Sequence, residues 1–348
     1  MFLYSNHNWI LYIAAFFSAF GITLASTPLA KKISFKVGGV AYPNVRSMHK
    51  EPMPSLGGIA IVLGFLVSVL LLTPFIPELR TKEFAGFIAG AVIIALVGAV
   101  DDIYELRPLP KFIFQVIAAL VVVCTGTTIN FMKWPFLANF PFLGPPVTIL
   151  WIVGITNAVN FIDGLDGLAA GVSSICGLCL TVLCVLSGNQ LAVMLSAAIA
   201  GSCFGFLPRN FSPAEVIMGD MGALFLGYVL SVSSIFGLFK GYALLAVAIA
   251  GFVLALPIFD MLFVTVRRIL SGKAFSAADK GHLHHRLIAM GYSQTRSVLI
   301  LYLFSALCGA ISIVIAFTNL DWRALGVIVA FLVMFLMMLY VYKKRMGK

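Results

Sequence analysis

The sequence predicts an all-α, polytopic integral membrane protein, and three observations predict it. The 348 residues are 61% hydrophobic and only 10% charged, with a mean hydropathy of +1.06. Soluble domains carry roughly 45–50% apolar and about 25% charged residues. Apolar runs close to the ~20 residues that span a bilayer recur along the chain. The connections between them are short, with no soluble insert, long internal repeat or low-complexity tract. A single transmembrane domain, 1–348, is therefore expected.

Eleven spans are predicted, near 9–28, 56–73, 84–100, 112–126, 146–160, 168–186, 191–207, 221–238, 242–266, 297–317 and 324–342. The first has no basic residue before it, and Lys31 and Lys32 follow it. That pattern suits an uncleaved anchor with its N-terminus outside. Eleven crossings then place the C-terminal KKRMGK in the cytoplasm. The segments so placed inside carry 18 of the 23 Lys and Arg; only Arg80, Lys82, Lys133, Lys240 and Arg323 fall outside. This agrees with the positive-inside tendency. The net charge of +10 is thus mainly topological, and no nucleic-acid partner is expected. Cys176 and Cys179 form a C-x-x-C with no second pair. They read as small packing residues, not a metal or redox site.

The same topology sorts the acids. Of 13, nine lie in inner segments: Glu51, Asp101, Asp102, Glu105, Asp163, Asp166, Glu215, Asp220 and Asp279. His49, His282, His284 and His285 lie inside too. Asp163 and Asp166, in NFIDGLDGLAAG, sit at an inner turn. A charge at mid-bilayer would cost about 2.5–3.5 kcal/mol, and far less near the interface. Their i, i+3 spacing puts both carboxylates on one face if the stretch is helical. Asp260 lies within span 242–266 and is expected to face the bundle interior, paired with Arg267 or Arg268.

Each cluster alone has a structural reading. DGLDG is a helix-capping turn. Asp101 and Asp102 cap the span starting near Lys111, and Asp220 caps span 221–238. HLHHRL is a basic face for anionic lipid, and Lys111 a snorkelling anchor. Taken together, polar clusters from four inner loops point to one shared site.

Carboxylates, an Asn-rich turn, histidines and basic residues on one face suggest a magnesium-assisted phosphate site. Mg2+ takes oxygen ligands, often one or two carboxylates plus substrate phosphates. Phosphoryl transfer needs neutralised charge and a positioned nucleophile. H-x-H-H lacks the cysteine partners or HExxH spacing of familiar zinc sites.

Six stretches, in order, carry a resemblance: MPSLGG (53–58), VGAVDDIYELRPLPK (97–111), NAVNFIDGLDGLAAG (157–171), GFLPRNFSPAEVIMGDMG (205–222), PIFDMLFVTVRR (257–268) and KGHLHHRL (280–287). The chain resembles the polyprenyl-phosphate N-acetylhexosamine-1-phosphate transferases. These start enterobacterial common antigen, O-antigen and teichoic-acid linkage units, and include the phospho-MurNAc-pentapeptide transferase of peptidoglycan synthesis. The resemblance implies that undecaprenyl phosphate attacks the β-phosphorus of a cytosolic UDP-sugar at the inner leaflet, releasing UMP. It implies Mg2+, with Mn2+ as an alternative ion, and from family behaviour alone a homodimer.

The resemblance assigns Asp220 as metal ligand with Asn160 beside it, Asp101 and Asp102 to lipid-phosphate activation and catalysis, and Lys111 to the lipid phosphate. Asp163, Asp166 and Asn210 would surround nucleotide and sugar. His282, His284, His285 and Arg286 would face the diphosphate or sugar, and Lys50 and Ser55 would edge the cleft. Direct attack by the lipid phosphate and a covalent aspartyl intermediate both fit at this level. Two positions depart from the family: Ile217 stands where Phe is common, and Ala223 where Ser is. HLHHRL resembles the GlcNAc branch, so UDP-GlcNAc is the expected donor. The rivals are the peptidoglycan transferase and a sugar carrier; carriers place their sites near the bilayer midplane.

Overall fold

The computed structural model describes residues 8–43, 51–76, 80–129, 140–237, 251, 253–270 and 283–317. Eight helices among them are long and apolar enough to cross a membrane. They are α1 (Asn8–Val37), α2 (Gly58–Leu72, extended by a 3-10 turn to Phe75), α3 (Lys82–Tyr104), α5 (Gly144–Ile162), α6 (Leu168–Ser187), α7 (Gln190–Asn210), α8 (Gly219–Gly237) and α11 (Gln294–Phe317). Between α3 and α5 runs α4 (Pro108–Cys124), apolar but only 17 residues long. α9 (Ala255–Leu270) covers the later part of predicted span 242–266, and α10 (Leu283–Ala289) carries LHHRLIA. Predicted span 324–342 lies outside the described residues. The chain is an all-α polytopic membrane protein.

Local sequence explains where helices start and stop. Thr81 caps α3 by accepting the Phe84 N–H (3.3 Å), and Asn189 caps α7 through the Ala192 N–H (3.1 Å). Pro108 stands at the start of α4, where a missing N–H costs nothing. Gly188 ends α6 at φ +72°.

α8 is the hub, packed against α3 and α5 and touched by α2, α6 and α7. α1 lies on α7 and α2, α11 on α6, and α9 on α5. The apolar windows of α7 and α8 are 83% and 78% buried, against 22% for α1 and 33% for α11. The former therefore form the centre and the latter the lipid-facing rim. Phe65, Phe87, Phe225 and Tyr228 stack in the core, and the Tyr228 hydroxyl donates to the Phe87 carbonyl (2.9 Å). Glycine lets backbones touch at one end of the hub. A Cβ on Gly58 would strike the Gly222 backbone, and one on Gly98 the Met221 backbone. A two-stranded antiparallel ribbon, β1 (Val40–Ala41) with β2 (Met53–Pro54), joins α1 to α2 at that same end.

Candidate active site

The acids of α3 meet the start of α8. Asp101 and Asp102 occupy the last turn of α3, so the reading of the pair alone as a cap of α4 does not hold. Asp101 Oδ1 accepts the Leu106 N–H (2.8 Å), and its carbonyl accepts the Glu105 N–H (2.8 Å). Glu105 adopts a left-handed φ of 49° and reverses the chain. That reversal brings α4 back so that Lys111, in its first turn, reaches the same carboxylate.

Lys111 Nζ donates to Asp101 Oδ2 at 2.7 Å and to Asp220 Oδ2 at 2.9 Å. Asn160, near the end of α5, donates through Nδ2 to Asp220 Oδ1 (3.0 Å). Asp102 Oδ1 accepts the Asp220 N–H (2.7 Å) and its Oδ2 the Met221 N–H (3.0 Å). The α8 terminus is thus capped by Asp102, and Asp220 lies within the first turn with its side chain available to the cleft, so the capping reading of its motif alone does not hold. Gly219 precedes it at φ +71°, where a Cβ would press on the Asp102 carboxylate.

DGLDG is not helical. α5 ends at Ile162, and residues 163–167 turn before α6 begins behind Gly167 at φ +79°. The pair sits at a turn, as its place between two apolar runs predicts, and the shared helical face that i, i+3 spacing would give does not form, because Gly164 and Gly167 favour a turn. Both carboxylates still line the cleft. Asp166 Oδ2 accepts the Ala214 N–H (3.2 Å). Burial pushes the Asp163 carboxyl up to about 7, and the nearby carboxylates of Asp220 and Asp166 add to the shift. Asn210 ties two loops, accepting the Gly167 N–H (3.1 Å) and donating to the Val216 carbonyl (3.0 Å).

These groups line a cleft of about 520 Å³ at one end of the bundle. Nine of the residues singled out by sequence meet in it: Ser55, Asp101, Asp102, Lys111, Asn160, Asp163, Asp166, Asn210 and Asp220. Arg286, on α10, is not among the residues lining it. Lys50 and His282 lie outside the described residues, as do the side chains of His284, His285, Arg267 and Arg268. Asp260 is fully buried, as expected, and its Oδ1 accepts the N–H of Leu283 (2.7 Å), the first residue of α10. Sequence reasoning missed Val40 and Ala41 of the ribbon, which also border the cleft, as does Glu105, one of the inner acids. No local pattern marks Val40 or Ala41.

The donor set suits a hard divalent cation. Oxygens of Asp101 and Asp220 already converge on one ammonium, so two carboxylates share a cationic position. Among the described residues, no group of three or more His, Cys, Asp or Glu is arranged to hold a metal by itself. Mg2+ commonly uses one or two carboxylates and fills its remaining positions with water and phosphate.

Comparison with known proteins decides the family. A Bacillus subtilis (strain 168) protein named "Probable undecaprenyl-phosphate N-acetylglucosaminyl 1-phosphate transferase" is 39% identical over 326 residues, covering 93% of this chain and 90% of that one. The family model described as glycosyl transferase family 4 matches residues 84–238. The chain belongs to glycosyl transferase family 4. Another relative in reach of this family 4 protein is the Mycobacterium leprae (strain TN) "Decaprenyl-phosphate N-acetylglucosaminephosphotransferase", 35% identical over 81% of this chain and 78% of that one. The Yersinia pestis "Undecaprenyl-phosphate alpha-N-acetylglucosaminyl 1-phosphate transferase" is 27% identical over 85% and 82%. The matched region, α3 to α8, contains every charged residue of the cleft.

Proposed function

We propose that this protein transfers GlcNAc-1-phosphate from UDP-GlcNAc to undecaprenyl phosphate, releasing UMP and forming a lipid-diphospho-sugar that starts a cell-envelope polysaccharide. The observation that carries this reading is Lys111 held between Asp101 and Asp220 in a cleft at one end of a membrane bundle. A cation poised there can take a lipid phosphate on entry, as lysine does at phosphate sites. The names of the relatives supply the donor sugar and the lipid class.

In this reading an oxygen of the lipid phosphate bonds to the β-phosphorus of UDP-GlcNAc. The bond from that phosphorus to the bridging oxygen breaks, and UMP leaves with the electron pair. Lys111 holds the attacking phosphate, while Asp163 and Asp166 border nucleotide and sugar. Both oxygens of Asp102 are taken by backbone N–H groups, and those of Asp101 by Leu106 and Lys111. Neither is presented as a free nucleophile, which favours direct attack over an aspartyl intermediate. Asp220 and Asn160 would hold Mg2+, which when bound neutralises charge on the diphosphate. The whole chain works as one transmembrane unit of eleven spans in the plasma membrane, N-terminus outside, with the cleft and the C-terminus on the cytoplasmic face. A midplane carrier site is not favoured, because the acids gather at one end.

The test is UMP release by the detergent-purified protein from UDP-GlcNAc and undecaprenyl phosphate, with and without Mg2+, beside Asp220→Ala. Mg2+-dependent release lost in the variant is expected. Release from UDP-MurNAc-pentapeptide alone would keep the reaction and change the sugar; release from neither donor would sink the reading.

A further inference from the structure

The turn that carries Asp163 and Asp166 is tied locally by the Asp163 N–H to the Asn160 carbonyl and the Gly164 N–H to the Ile162 carbonyl. It is not helical, and Gly164 and Gly167 loosen its backbone. Yet Gly167 is gripped at both of its backbone groups from distant parts of the chain. Its N–H is accepted by Asn210 Oδ1 of α7 at 3.1 Å. Its carbonyl takes the hydroxyl of Tyr302 of α11, 135 residues away, alongside the first helical N–H of α6 from Gly171 (2.9 Å).

The fit is made by absent side chains. A Cβ on Gly171 would overlap the Tyr302 ring, and one on Gly167 would crowd Phe211. The tyrosine thus lies in a slot on the first turn of α6, next to the turn bearing the two acids. α11 follows α10 after only four residues, 290–293, so the element reaching the acid turn is the one continuous with LHHRLIA. α10 is fixed at its other end by the buried Asp260 through Leu283 N–H.

We infer that Tyr302 is a positioning residue, holding the Asp163–Asp166 turn in register with the α10–α11 element so that the donor side of the cleft keeps its shape. It acts through Gly167 and is not itself among the residues lining the cleft. The acceptor side, built on Asp101, Lys111 and Asp220, is held by bonds that Tyr302 does not touch. Loss of the hydroxyl therefore weakens the donor and spares the lipid. This rests on the proposed transfer reaction.

The experiment is Tyr302→Phe in the full-length protein. KM is measured separately for UDP-GlcNAc and undecaprenyl phosphate, with calorimetric binding of UDP-GlcNAc in Mg2+ and a thermal unfolding midpoint. One buried hydrogen bond lost predicts a roughly three- to tenfold rise in both KM and Kd for UDP-GlcNAc. The KM for undecaprenyl phosphate should move less than about twofold. Gly171→Ala, which displaces the ring by a different route, should give the same split and decides the matter if Tyr302→Phe does not fold. Unchanged donor affinity with an active wild type, or a fall only in midpoint and kcat, overturns the positioning role while leaving the reaction in place. A wild type that neither binds nor turns over UDP-GlcNAc removes both readings together.

Discussion

At the end of the bundle away from the cleft, helix termini are met by neutral side chains. Thr81 caps α3, and Asn189 caps α7 and also donates to the Phe236 carbonyl at 2.6 Å. At the cleft end, carboxylates do this work. Asp102 caps α8, Asp101 holds the turn after α3 and Asp166 takes the Ala214 N–H, beside the neutral Asn210 on the Gly167 N–H. Neutral caps serve nearly as well for stability, and burying charge is costly unless it is paired. The difference teaches that the cleft end carries charge its helices do not need, with Lys111 as its counter-ion. That surplus is what a phosphate chemistry would use.

The largest expected effect breaks the charged end directly. Asp220→Ala takes away one of the two carboxylates on Lys111 and the acceptor of Asn160, and should lower UMP release by more than about 100-fold, a loss in the range of removed transition-state contacts. Asp102→Asn sharpens the comparison. It leaves one acceptor for α8 and turns an NH2 toward the second backbone N–H, so stability should fall by about 1–3 kcal/mol, while turnover falls by at least about tenfold. Equal turnover would mean that Asp102 is only a cap. Asn189→Ala is the converse: it should cost stability on the order of 1 kcal/mol while both KM values hold.

A smaller effect comes from Asp163. Its folded-state pKa of about 7 lies above the ordinary 3.8. The folded state therefore binds its proton more tightly than the unfolded one. This contribution to stability is full below about pH 4 and is lost as pH rises through 7. In chelator, Asp163→Asn should flatten the fall in unfolding midpoint between pH 5 and 7.5 relative to wild type; an unaltered slope would contradict the burial of this group. Smallest of all is Glu215→Gln. Glu215 is exposed, and its pairs with Lys31 (3.3 Å) and Arg209 (3.1 Å) are screened. Neither midpoint nor turnover should move measurably.

Much of this was legible in the sequence because the signals are local. Hydropathy located the eight long helices and α4, and counting basic residues gathered the acids at one end before any contact was known. The pairings were not legible. Nothing near Asp102 announces that it caps a helix 118 residues later, and nothing near Lys111 announces Asp220. The turn carrying Asp163 and Asp166 was legible from its place between two apolar runs, and Gly167 stands there at φ +79°. Tyr302 looked like an ordinary residue of an apolar span; its partner is a backbone carbonyl, which no side-chain motif encodes.

The brevity of α4 has a mechanical consequence. Its 17 residues extend only about 26 Å, short of the roughly 30 Å hydrocarbon layer. A bilayer meeting that helix must thin beside it, or its ends must sink, at a fraction of a kcal/mol per Å. On the proposed reaction, Lys111 in its first turn would then lie below the surrounding head groups, and a lipid phosphate would descend to reach it. The thickness of the host membrane then becomes a variable of the reaction, which vesicles of graded acyl-chain length can read as a change in the KM for undecaprenyl phosphate.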